Sequence, residues 1–186
     1  MTWWSMAMNK FLTEKNGLFY LLVVLVVATR LLPHPMNFAP IGALGLFSGA
    51  YVTNRRAWLI PLAALFISDL FIGFYTPLVM LSVYISFAIS VVLGRYALSQ
   101  KRSVIRIGGA AVASATILFV LSNFTLWLTG LYYPMTFEGL TLCFVKAIPF
   151  YGNTLAGDLF YASVLFGIYE GVKQLLNKEE ADLHAV

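Results

Sequence analysis

Four ionisable residues, Arg30, Asp69, Lys146 and Asp158, lie within or against long apolar segments, and Asn37, Asn123 and Asn153 accompany them. An ionised side chain facing hydrocarbon costs at least about 2.5–3.5 kcal/mol on insertion scales, so such groups turn toward a protein interior or a watery hollow. Two cations and two acids can close on one another as salt bridges that fix helix register. They can equally frame a solute, with Arg30 offering a planar fork to a carboxylate or phosphate and the aspartates accepting from donor groups. Trp127, Tyr132, Tyr133 and Tyr151 supply flat faces for stacking, and are also the residue types that anchor helices at a membrane interface. In "RLLPHPMNFAP" the three prolines make a stiff loop that holds His34 and Asn37 above Arg30. His34 has the chemistry of a pH-sensitive gate, and that of an ordinary capped loop residue.

Other chemistries have less to work with. There are two histidines and one cysteine, so His34, Cys143 and an aspartate could form a metal site only through folding; neither a metal nor a cofactor is expected. Ser48, Ser68 and Ser122 have no histidine in their segments, and no GxSxG occurs. The flanks of the two acids, "ISDLFIG" and "AGDLFYA", are alike but carry no protease signature. The glycines of "IRIGGAAVASA" lack the GxxxxGK[ST] pattern of a phosphate loop, so the chain is not expected to hydrolyse ATP. The expectation is a protein without enzymatic activity, with an intramembrane enzyme acting on a lipid as one rival and a structural or assembly subunit as another.

The elements that must position these residues follow from composition. Of 186 residues, 60% are hydrophobic and 11% charged, with a mean hydropathy of +0.83, against about 45–50% and about 25% in soluble domains. That balance predicts an all-α, polytopic membrane protein in a single domain, residues 1–186. Its spans are placed at about Leu18–Leu32, Phe38–Val52, Ala57–Phe74, Leu78–Ala97, Ile107–Thr129 and Thr154–Val172. A secretory signal peptide is a rival reading of the first, but no small-residue cleavage site follows it and five more apolar segments do. The piece "GLTLCFVKAIPF", Gly139–Phe150, would reach about 18 Å as a helix; it is expected to form a short outer half-helix ended by Pro149.

All twelve Lys and Arg except Arg30 and Lys146 fall at one set of span ends: Lys10, Lys15, Arg55, Arg56, the Arg95–Arg106 stretch, Lys173 and Lys178. The positive-inside tendency makes that side cytoplasmic, with both termini inside. The net charge of +4 is then a matter of orientation in the bilayer, and nucleic acid is not an expected partner. The outer connections "LPHPMNFAP", "FYTPL" and "GLYYPMTFEGL" are rich in proline and aromatics and read as stiff lids. On this orientation Arg30, Asp69, Asn123, Trp127, Lys146 and Asp158 share one level near the outer side. Small residues four apart, Gly45 and Gly49, Ala111 and Ala115, and Ser86, Ser90 and Gly94, permit close helix approach, either within the bundle or against another membrane subunit.

Six short spans with both ends inside, the loop "LPHPMNFAPIGALGLFSGA", the end "SDLFIGF" of the third span and "KAIPFYGNTLAGDLFY" before the sixth together resemble small bacterial membrane proteins. Those proteins are related to the substrate-binding S components of energy-coupling-factor vitamin transporters. The resemblance covers about residues 18–175. It implies an S-component-like bundle in the bacterial inner membrane that captures a vitamin or precursor in an outward-facing pocket. It also implies delivery with a transmembrane coupling subunit and two ATPases, although "LLVVLVVATR" lacks the AxxxA docking face often found on the first helix. The expected solute-binding residues are Arg30, His34, Asn37, Asp69, Asn123, Trp127, Lys146, Asn153 and Asp158.

Overall fold

A computed structural model of the chain describes residues 17–29, 32–33, 35–52 and 56–184. Six helices and no strands occur among them: α1 Gly17–Thr29, α2 Ile41–Tyr51, α3 Arg56–Ile72, α4 Pro77–Leu93, α5 Val104–Leu128 and α6 Phe137–His184. A π-helical turn, Gly94–Leu98, extends α4.

Local chemistry sets these boundaries. Gly73, at φ +107°, ends α3, and Pro77 enters α4 at its first turn, where its missing N–H has no helical partner to lose. Ser103 caps α5 by accepting from the Arg106 N–H at 3.3 Å. Gly130, at φ +64°, follows α5. Thr136 receives the Gly139 N–H at 3.2 Å and opens α6.

Three stretches are long and apolar enough to cross a membrane: Pro77–Leu98, Val104–Leu128 and Phe137–Lys178. The apolar helices Ile41–Tyr51 and Ala57–Ile72 are shorter. α2 has 11 residues, about 16 Å of helix against ~30 Å of hydrocarbon. It is the centre of the bundle: every residue from Ile41 to Ala50 is buried, with α3, α4 and α6 packed around it.

The expected half-helix is not a separate element. α6 continues through Pro149 as one helix of 48 residues. A proline removes a single ladder bond, here the one to the Val145 carbonyl, and apolar sequence on both sides sustains the helix across the gap. Pro149 and Val145 both lie on the exposed side of α6, so no buried packing is displaced.

The small residues serve internal packing. A methyl group at Gly49 would lie 2.1 Å from the Val91 carbonyl oxygen, and one at Gly94 would lie 2.1 Å from that of Leu46. Backbone therefore touches backbone where α2 crosses α4. Ala111 and Ala115 are fully buried on α5. Ser86 and Ser90 donate to the carbonyls of Ser82 and Ser86, and Ser90 meets Ser114 of α5 at 2.8 Å.

Candidate solute site

A helix buried from end to end leaves backbone groups at both termini without intrahelical partners, and its macrodipole makes one end positive and the other negative. At the C-terminal end of α2, Arg102 donates to the Ala50 carbonyl at 3.4 Å and Arg95 to that of Val52 at 3.2 Å. Arg102 also lies over the Tyr51 ring, 4.4 Å from its centroid, and 3.6 Å from Glu170 of α6. The Tyr51 hydroxyl donates to the same Glu170 carboxylate. That end is tied to its neighbours by these contacts, with Arg102 Nε buried and without a hydrogen-bond partner among the described residues.

At the N-terminal end stands Asp158 of α6, 2% exposed. Its Oδ1 accepts the Ala43 N–H at 3.1 Å, so the carboxyl group caps α2 from another helix. Gly42 makes this approach possible, because a methyl group there would lie 2.3 Å from Oδ1 and 2.4 Å from Oδ2. Ser114 stands beside the carboxyl, with its hydroxyl against Ser90. Oδ2 is buried and has no hydrogen-bond partner among the described residues.

The space beside Asp158 is a cavity of about 340 Å³, within the roughly 300–1,000 Å³ range of small-molecule pockets. Exposed Asn37 and Tyr75 stand at its mouth and buried Phe87 and Asp158 at its depth. One wall follows α6 at helical spacing through Ala147, Phe150, Tyr151, Thr154 and Asp158, and Leu118, Phe119, Ser122 and Asn123 of α5 continue the lining. The Phe119 and Tyr151 rings pack against each other, 4.8 Å between centroids, where α5 and α6 join in the lining.

Of the residues expected to bind a solute, Asn37, Asn123 and Asp158 line this cavity. Asn37 adopts φ +65°, a left-handed conformation that asparagine tolerates better than most residues. The Asn123 amide nitrogen donates back to the Phe119 carbonyl at 2.8 Å. Asn153 does not line the cavity; it donates to the Met36 carbonyl at 2.9 Å and so ties the mouth loop to α6. Arg30 and His34 lie outside the described residues.

Three other expected residues stand elsewhere. Asp69 is 1% exposed and accepts from the Tyr84 hydroxyl at 3.0 Å, in the packing between α3 and α4. Lys146 is exposed, because it is off the helical stripe that carries Ala147, Thr154 and Asp158. Trp127 donates its indole N–H to the Pro134 carbonyl at 2.9 Å and braces the turn after α5. The expected balance of two cations against two acids is therefore not assembled by Lys146 and Asp69 around the cavity.

Sequence reasoning passed over Tyr75, Phe87, Phe119 and Thr154. Thr154 was reachable: stepping back from Asp158 by one helical turn gives it, and a further step gives Tyr151.

Neither a curated protein nor a solved structure matches the chain. Residues 11–180 match DUF6580, a family of unknown function. The match spans most of the sequence, and the chain belongs to that family.

Proposed function

We propose that this is a multi-pass membrane protein that binds a small polar solute from the outer side and serves its uptake. The observation that carries the reading is the buried Asp158 Oδ2, unpartnered beside a cavity of molecular size. A buried polar atom without a partner is costly, and solute donors would satisfy it.

The sidedness of the reading comes from charge. Arg95, Arg102 and Arg106 cluster at the C-terminal end of α2 and the start of α5, whereas Asp158 and the cavity belong to the N-terminal end of α2. The positive-inside tendency turns the basic end to the cytoplasm and the cavity outward. On this reading the chain makes six passes in a bacterial inner membrane, with both termini cytoplasmic and the short α2 completing its pass with the loops at its ends. Resemblance to S components supports a micronutrient as the solute and a coupling subunit with ATPases as partner. The mechanism is alternating exposure of the site, with the loops carrying Asn37 and Tyr75 moving as the solute enters; no bond is made or broken.

A second reading, a structural or assembly subunit, draws on the internal partners of both aspartates, Tyr84 for Asp69 and Ala43 for Asp158. One experiment separates the two. The wild-type protein and Asp158→Asn are purified in lipid, and co-purifying small molecules are identified by mass spectrometry. A metabolite present with wild type and lost from the variant supports uptake. Indistinguishable small-molecule content in the two proteins, together with unchanged cellular function of the variant, would leave only the structural reading.

A further inference from the structure

Among the described residues, the cavity lining carries charge of one sign only. Asp158 is its one carboxylate, and no lysine, arginine or histidine lines it among the described residues. The other polar contributors are neutral: Asn37, Asn123, Ser122, Thr154 and the hydroxyls of Tyr75 and Tyr151. The positive end of α2 would by itself favour an anion, but the Asp158 carboxyl already occupies it through the Ala43 N–H. An anionic solute would meet that carboxylate at short range in a medium of low polarity, where like charges repel strongly.

The apolar part of the lining is aromatic. Phe119 and Tyr151 meet at 4.8 Å with their planes tilted by 43°, and Phe87 and Phe150 extend the surface. The Tyr151 hydroxyl is held by Thr116 at 2.9 Å, which anchors the ring. Aromatic faces attract cations through their quadrupole, more strongly when water is excluded. A carboxyl group and aromatic walls together are complementary to a positive nitrogen on a compact ring.

We infer that the solute carries a protonated nitrogen that pairs with the Asp158 carboxyl group, attached to a small ring body packed against Phe87, Phe119, Phe150 and Tyr151. The inference rests on the solute-binding reading above and names its chemical class.

Three probes of one shape and different charge test it: 2-phenylethylamine, 2-phenylethanol and phenylacetate, titrated by calorimetry into the protein in lipid nanodiscs. The amine is expected to bind at least tenfold more tightly than the alcohol, and the acetate more weakly still. In Asp158→Asn, which keeps an oxygen to accept from Ala43, the preference for the amine should shrink to within about threefold. Equal or tighter binding of the alcohol or the acetate overturns the assignment, as does a preference that survives Asp158→Asn. Recovery of a co-purifying metabolite without a basic nitrogen overturns the charge class while leaving solute uptake standing. Failure of all three probes to bind overturns the class named here, while the solute-binding reading stands or falls by the co-purification experiment.

Discussion

Asp69 and Asp158 sit in nearly the same words, "SDLF" and "GDLF", and both are almost wholly buried, yet their surroundings differ. Asp69 is engaged by Tyr84 from the neighbouring helix and stands apart from the cavity. Asp158 gives one oxygen to the backbone of α2 and keeps the other unpartnered beside an open volume. The difference teaches that burial of a charge does not by itself mark a site. On the proposed reading, a binding group is set apart from a structural one by its place on a cavity wall, which Asp158 has and Asp69 lacks.

The comparison can be broken most forcefully at the charges themselves. Asp158→Asn should weaken solute affinity by about 2 kcal/mol or more, on the order of 30-fold, as expected when one member of a buried charged hydrogen bond is lost. Asp69→Asn should change affinity by less than about twofold, which calorimetry with the identified solute would show. Comparable losses in both variants would erase the distinction.

Packing offers the next test. Gly42→Ala puts a methyl group into the Asp158 carboxyl, and should destabilise the protein by about 1–3 kcal/mol through overpacking, besides impairing solute binding. The same change at Gly152, which has open space around it on α6, should be neutral or slightly stabilising, since alanine favours helix by about 1 kcal/mol over glycine. Chemical denaturation in detergent would compare the two.

A smaller effect is expected at the structural acid's partner. Tyr84→Phe removes the hydroxyl that donates to Asp69 and should cost about 1–2 kcal/mol of stability, leaving affinity intact. Smallest of all is Lys146→Gln. Lys146 is exposed and off the cavity, so both stability and affinity should stay within about 0.5 kcal/mol of wild type.

The helices were largely legible because proline, glycine and serine mark their ends. Gly73, Pro77, Ser103 and Gly130 lie within a few residues of the boundaries the sequence suggested. The role of α2 was not legible: an uninterrupted apolar run reads alike whether protein or lipid surrounds it. Pro149 misled because a proline's effect depends on whether its flanks sustain the helix. Within the site, Asp158 could be found as an ionisable residue in an apolar segment, and the α6 wall follows from helical spacing. Separating Asp69 from Asp158 required knowing which hydroxyl and which backbone N–H each would meet, and those come from other helices.

The most direct test is the accessibility of cysteines placed in the two environments. In a Cys143→Ala background, Ser122→Cys lies on the cavity wall, and Ser68→Cys lies beside Asp69, where the serine is 1% exposed. A membrane-impermeant thiol reagent added to right-side-out vesicles should label Ser122→Cys and leave Ser68→Cys unmodified. Equal labelling of the two, or labelling of Ser122→Cys only when the cytoplasmic face is exposed, would contradict the account.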